Sequence, residues 1–397
     1  MVHEQQRDVG VGESGGGIVE DRARGVEQRI GGGDVLDLRR GPVPGSDPGQ
    51  RRAAPRVLDD GSSRRGIGGA VQRVDATNVT YITVEGKVGS LLRGLGGLVR
   101  AYYRGRMRVA TWNVNSVKQR IPRLLPWLDE RRPDVVCLQE TKLSDAAFHE
   151  SLGTELAERG YEIAHAGQGQ WNGVALLSRV GLDDVRIGFD GMPGYPDPST
   201  LEARAVSAVC GGLRIHSLYV PNGRSPDSDH YGYKLEWLAA LARAVDDPAT
   251  TLLCGDMNIA PADPDVFDPD AYVGHTHVTP PERAALATFA SMGLRDVVRD
   301  RWPDDRVFSY WDYRAGMFHK DLGMRIDLIL AGESAADRAA AAWIDRKARK
   351  GSKPSDHAPV IVDLDEAPDG DIGPVVPPPS NPAKPGAAKV KLPQTPE

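Results

Sequence analysis

Residues 251–258 read Thr-Leu-Leu-Cys-Gly-Asp-Met-Asn, a short apolar run that closes on a carboxylate and an amide. Such a run, bounded by a turn signal, suits a buried β-strand rather than a helix. Four other stretches are built in the same way. Met-Arg-Val-Ala-Thr-Trp at 107–112 leads into Asn113 and Asn115, and Asp-Val-Val-Cys-Leu-Gln at 134–139 leads into Glu140. Asp327 interrupts Arg-Ile-Asp-Leu-Ile-Leu at 325–330, and Asp356-His357 precede Ala-Pro-Val-Ile-Val at 358–362. In layered α/β structures strand ends line the crevice where ligands sit. One polar residue at a strand end is a cap or a turn residue; five sets beside five strands predict a single site.

Working outward, Gly173–Arg179, Ala203–Cys210 and Leu213–Val220 also read as strands. Helical spacing of apolar residues marks 120–132, 231–245 and 281–293. Strands and helices do not alternate evenly. An α/β architecture of two packed sheets with helices outside is therefore expected, rather than one doubly wound sheet.

Composition sets the boundaries. Of the 45 glycines, 22 fall in residues 1–106, and nine prolines fall in 368–397. The sequence predicts a low-complexity extension over 1–106, a dense single-domain body over 107–366 and a Pro-rich disordered tail over 367–397. Met107 opens the first convincing strand and is the expected natural start. The extension carries a net +4 and the remainder −10, which argues against non-specific polyanion binding unless the acids hold a metal and a basic face lies elsewhere. Cys137, Cys210 and Cys254 sit in apolar runs without a CxxC pair, as expected for a reducing cytosol. No segment supplies the roughly 20 apolar residues of a membrane span, so no membrane partner is expected.

The residue types point to a chemistry. No HxxxH or Cys/His cluster suggests zinc. Carboxylates with Asn carbonyls are hard oxygen ligands suited to Mg²⁺, with Mn²⁺ as a substitute. A histidine beside a buried Asp can balance charge or move a proton. Together these parts imply metal-assisted phosphoester hydrolysis. No Gly-rich dinucleotide motif, P-loop or nucleophile elbow is present. His275 and His277 fall in a loop-like stretch and read as solvent-facing or packed.

The strings RVATWNVNS, DVVCLQETKL, GVALLSR, LYVPNG, CGDMNIAP, FSYWDYR, GMRIDLILA and KPSDHAPV resemble, in order and spacing, the bacterial exonuclease III family of the endonuclease/exonuclease/phosphatase superfamily. The resemblance implies a four-layered sandwich of two packed mixed β-sheets flanked by helices, as in deoxyribonuclease I. It implies Glu140 as principal metal ligand, with Asp356 and Asn115 near the metal. Asp256 would activate the attacking water, Asn258 and Tyr219 would contact the phosphate with Asn222 beside them, and Asn113 would hold either Asp256 or the phosphate. Asp327 would orient His357. Whether Asp256, His357 or a metal-activated water is the base stays open. Tyr310, Trp311, Met324 and Ile326 would form an apolar slot for a flipped abasic sugar. Among Lys142, Arg224, Lys234, Arg314, Lys320, Arg325 and Lys353, the expected DNA contacts are Lys142 and Arg314.

The implied activity is a cytoplasmic, nucleoid-associated, monomeric DNA-repair nuclease. It would cut duplex DNA 5′ to abasic sites, trim 3′ blocking groups and digest from 3′ ends. A phosphatase for lipid or small phosphoesters and a DNA-end binder with a degenerate site are the rivals. The aromatic FSYWDYR segment counts against the first, and the complete set of candidate residues against the second.

Overall fold

The computed structural model describes residues 106–365, together with the backbone of a short hairpin that pairs Asp75–Ala76 with Val79–Thr80. The expectations for the rest of 1–106 and for 367–397 lie outside the described residues.

The chain builds two six-stranded sheets. In the first, β1 (Met107–Asn113), β2 (Val135–Gln139), β3 (Glu162–Gln168), β4 (Trp171–Ser178), β11 (Ala339–Ile344) and β12 (Val360–Leu364) run in the order β11-β12-β1-β2-β4-β3. In the second, β5 (Asp183–Ile187), β6 (Ala205–Cys210), β7 (Leu213–Tyr219), β8 (Thr251–Asp256), β9 (Arg295–Asp296) and β10 (Asp327–Ala331) run in the order β9-β10-β8-β7-β6-β5. Each sheet has one parallel pair at its centre, β1–β2 and β7–β8, flanked by antiparallel strands. A parallel pair needs a crossover connection. Helix α1 (Val117–Arg131) supplies it in the first sheet and α3 (Asp229–Ala244) in the second.

Period-2 alternation then sorts the side chains. Val109, Cys137, Ile215, Cys254 and Ile329 point between the sheets and form the central core. Ala110, Trp112, Leu138 and Leu177 point outward, under α1 and α2 (Asp145–Glu158). Leu218, Leu253, Leu328 and Leu330 pack under α3 and α4 (Pro280–Ser291). The result is the expected four-layered α/β sandwich. Pro122 and Pro126 interrupt the α1 hydrogen-bond ladder, but both lie on its exposed face, where water can satisfy the freed carbonyls.

The same parity positions the site. Counting two residues on from Thr111, Cys137 and Cys254 along the inner faces gives Asn113, Gln139 and Asp256. The strand-end polar groups therefore meet between the sheets. Just beneath them the Gln139 amide donates to Thr111 Oγ1 at 3.0 Å and to Ser217 Oγ at 3.2 Å across the sandwich. Within the second sheet Gly255 lets β8 lie close against β7: a Cβ there would stand 1.9 Å from the Leu218 carbonyl oxygen.

Candidate active site

Asn113 is the hub. Its amide nitrogen donates to Glu140 Oε1 at 2.8 Å and to Asp256 Oδ2 at 2.9 Å, joining the ends of three strands. Its carbonyl oxygen accepts the Asn115 backbone N–H at 3.0 Å. Across the cleft Asp327 Oδ2 meets His357 Nδ1 at 2.8 Å, and His357 Nε2 lies 3.8 Å from Asp256 Oδ2. Trp112 Nε1 donates to the His357 carbonyl, and Ser309 Oγ accepts the Asp327 backbone N–H. The imidazole is thus held on both its ring and its main chain.

Ligand atoms of Glu140, Asp256 and His357 lie within 4.8 Å of one another. Asp327 Oδ1 is buried with no hydrogen-bond partner. This oxygen-rich set, without a thiolate, fits a hard divalent cation. Glu140 would be the direct carboxylate ligand, with Asp256 beside it.

Electrostatics follow from crowding three carboxylates around one imidazole. Burial raises the Asp256 carboxyl, and the Asp327 and Glu140 charges add to this against the pull of His357, bringing it to about 7. Burial pulls His357 down, but the Asp327 and Asp256 carboxylates outweigh it and lift the imidazole to about 10. Burial also acts upward on Glu140; Lys142, 2.7 Å from Glu140 Oε2, overcomes it and holds that carboxyl below its usual value. Burial, reinforced by the Glu140 charge, pushes Tyr219 well above its usual range, so its hydroxyl stays a neutral donor.

The backbone around this centre is unusual. Asn115, Ser116, Glu140, Lys142 and Asn258 all have positive φ, between 42° and 78°. Non-glycine residues reach this region at a cost of roughly 1–2 kcal/mol each. One tertiary and one local contact hold them there: Ser116 N–H donates to the Glu140 carbonyl, and Asn258 N–H to Oδ1 of Asp256 two residues before it.

The structure brings together Asn113, Asn115, Glu140, Lys142, Asp256, Asn258, Asp327 and His357. Asn222 joins them through Asn258 Oδ1 at 3.1 Å. Tyr310 lies over His357, with ring centroids 4.8 Å apart. Asp356 stands apart from the converging ligand atoms and is tied to them through Asn115, whose amide donates to its Oδ1 at 3.1 Å.

Several expected positions differ. Trp311 is only 1% exposed and packs in the central core, while Met324 and Ile326 belong to a satellite core with Val266 and Tyr272. These three residues back the site wall instead of forming an open slot. Lys234 and Arg325 do not belong to a basic face. Both are fully buried, Lys234 against Glu282 at 2.5 Å and Arg325 against Asp265 and Asp296. The Arg314 guanidinium is engaged by Asp312. His277, read from the sequence as solvent-facing or packed, is a further neighbour of the site. It lies beside the phosphate-side amides, with Nε2 3.4 Å from Asn222 Nδ2. Its neighbour Thr276 shares the Lys234–Glu282 cluster, and only the Thr-Pro-Pro-Glu helix start that follows hints at that anchoring.

Comparison with known proteins agrees with this geometry. The sequence profile of the Endonuclease/Exonuclease/phosphatase family matches residues 110–357. Exodeoxyribonuclease III of Haemophilus influenzae is 32% identical over 270 residues, covering 64% of this chain and 98% of that protein. An exodeoxyribonuclease of Bacillus subtilis is 28% identical over 262 residues, with the same coverage. Among solved structures, an AP endonuclease from Archaeoglobus fulgidus matches with TM-score 0.61 and 35% identity, and a 3′-5′ exonuclease from Neisseria meningitidis with TM-score 0.61 and 36% identity. Each match covers 66% of this chain and all of the other. The chain belongs to the endonuclease/exonuclease/phosphatase family, in its exonuclease III branch.

Proposed function

We propose that this chain is a Mg²⁺-dependent DNA-repair nuclease. It hydrolyses the phosphodiester 5′ to abasic sites, removes 3′ blocking groups and digests duplex DNA from 3′ ends. The observation that carries this reading is Asp256, buried at the cleft floor between Asn113 and the Asp327–His357 pair and joined to Glu140 through the Asn113 amide.

When bound at Glu140, a hard divalent cation supplies Lewis-acid charge to a phosphoryl oxygen. The chain's own groups do the rest. Asp256 Oδ2 is fixed by the Asn113 amide, so a water lodged there is oriented toward phosphorus. With its carboxyl brought to about 7, Asp256 can accept that water's proton near neutrality. His357, raised to about 10, carries its proton at working pH and aims Nε2 into the cleft as a charged donor for a phosphoryl oxygen. Asp327 holds the imidazolium through Nδ1. Asn258 uses one amide hydrogen on the Val220 carbonyl and has the other for the phosphate. The neutral Tyr219 hydroxyl is a second such donor.

Relatives named for abasic-site, 3′-5′ exonuclease and 3′-phosphatase activity match equally well in fold. The test therefore presents three substrates to the full chain: a duplex with one internal abasic site, a duplex with a 3′-phosphate and a recessed 3′ end. Each is assayed with Mg²⁺, with Mn²⁺ and with chelator. Metal-dependent cutting of at least one supports the nuclease reading, and the ratio of rates ranks the substrates. No cutting of any of them refutes it. The same reading has a cytoplasmic monomer acting on nucleoid DNA, which sedimentation and cell imaging check.

A further inference from the structure

Among the described residues only six large apolar side chains are exposed, and Trp171, at 72%, and Leu201, at 57%, stand on adjoining segments. Trp171 begins β4, immediately after the turn from β3, where it pairs with Gln168. Asn172 Nδ2 donates to Glu202 Oε1 at 2.9 Å, the Ala203 backbone N–H to Gln168 Oε1 at 3.1 Å, and the Gly173 N–H to the Ala203 carbonyl at 2.9 Å. The two segments are therefore laced together.

They are also fastened to the catalytic loop. Thr141 N–H donates to the Gly173 carbonyl at 3.1 Å and Lys142 N–H to the Asn172 carbonyl at 3.0 Å, so the residues next to Trp171 hold the two that follow Glu140. The contact is tight: a Cβ on Gly173 would fall 2.2 Å from Thr141 Oγ1. The exposed indole is thus carried on a backbone fastened to the loop that follows Glu140, the carboxylate expected to hold the metal. A tryptophan this exposed gains little from the fold. What it offers is a flat apolar face of the kind on which nucleobases stack irrespective of sequence.

We propose that Trp171, supported by Leu201, contacts the DNA strand that enters the cleft past Glu140, its indole stacking on a nucleobase near the scissile phosphodiester. The proposal rests on the nuclease reading and extends it to a residue outside the reacting groups.

The test uses the full chain and a duplex carrying one abasic-site analogue. In chelator, fluorescence anisotropy should show Trp171→Ala binding about ten-fold more weakly than wild type, the loss of one base stack. With Mg²⁺, KM should rise by a similar factor, kcat should stay within about two-fold, and Trp171→Phe should recover most of the affinity. DNA should also shield from iodide the part of the fluorescence that Trp171→Phe removes. Wild-type Kd and KM in Trp171→Ala overturn the proposal while leaving the nuclease reading in place. Wild-type protein that neither binds nor cuts DNA defeats both. A dimer that Trp171→Ala dissolves, with DNA binding unchanged, assigns the patch to a second copy and also overturns it.

Discussion

Buried charge clusters of two kinds lie in this sandwich, and they are built on opposite principles. In one, Asp265 accepts Arg325 Nε at 2.7 Å and Arg299 Nη2 at 2.6 Å, and Arg325 Nη1 reaches Asp296 at 2.6 Å. Two carboxylates face two guanidiniums. Despite burial, Arg325 and Arg299 keep the Asp265 carboxyl below its usual value. In the other, Glu140, Asp256 and Asp327 surround His357, with Lys142 reaching Glu140 alone. There Asp256 is pushed up instead of down. The balanced cluster ties loops to strand ends. The unbalanced one holds negative charge that folding alone does not compensate, and such a site is ready for a cation and a proton to be moved.

The sharpest way to break this comparison is to swap the expected consequences. Glu140→Gln should lower the single-turnover cleavage rate by about 10²–10³-fold at saturating DNA, and calorimetry should show weakened Mg²⁺ binding, while the melting temperature holds. Arg325→Met should do the reverse. It leaves a buried carboxylate short of a partner and should cost about 3 kcal/mol or more in urea unfolding, with kcat per folded molecule retained.

Acid and base separate the two kinds further, and the separate Lys234–Glu282 pair is a second balanced one. The Glu282 carboxyl is pushed upward by burial, but Lys234, with hydrogen bonds from Lys234 and Thr276, brings it down to about 2 from 4.5. The unfolded chain then binds more protons than the folded one between those values. Its stabilisation is present above pH 4.5 and is lost as pH falls through about 2; Glu282→Gln should flatten that slope. Asp256 is shifted the other way, to about 7 from 3.8. Here the folded state binds more protons, so stability in chelator should fall as pH rises from about 4 through about 7, and Asp256→Asn should remove that fall. Denaturant melts at several pH values check both signs. The smallest effect belongs to Asn115→Asp. A further carboxylate joins the unbalanced cluster, and Mg²⁺ affinity should rise about three-fold, on the order of 0.6 kcal/mol.

The two kinds of cluster also differ in how much of them the sequence discloses. Asn113, Glu140, Asp256, Asp327 and His357 were legible because each interrupts or adjoins an apolar run, and strand alternation carries Asn113, Asp256 and Asp327 to the inner faces. Lys234 and Arg325 were not. A charged residue in an amphipathic helix or before a strand looks solvated until long-range register brings Glu282 or Asp265 against it. Trp311, Met324 and Ile326 misled for the complementary reason: aromatic and apolar residues near a site look the same in sequence whether they line it or stand behind it. The positive φ of Glu140 has no local signature, since it is not glycine and its loop is held by hydrogen bonds to distant backbone, whereas Asn258 is of a type that tolerates this region and is bonded to Asp256 two residues before it.

The central claim is that Asp256 is the proton acceptor of a phosphodiester hydrolase. It is tested most directly by single-turnover cleavage of an abasic-site duplex with wild type and Asp256→Asn, alongside anisotropy on the same DNA. The account predicts binding within about three-fold of wild type and a cleavage rate lower by about 10³-fold. Cleavage by Asp256→Asn at the wild-type rate would contradict it.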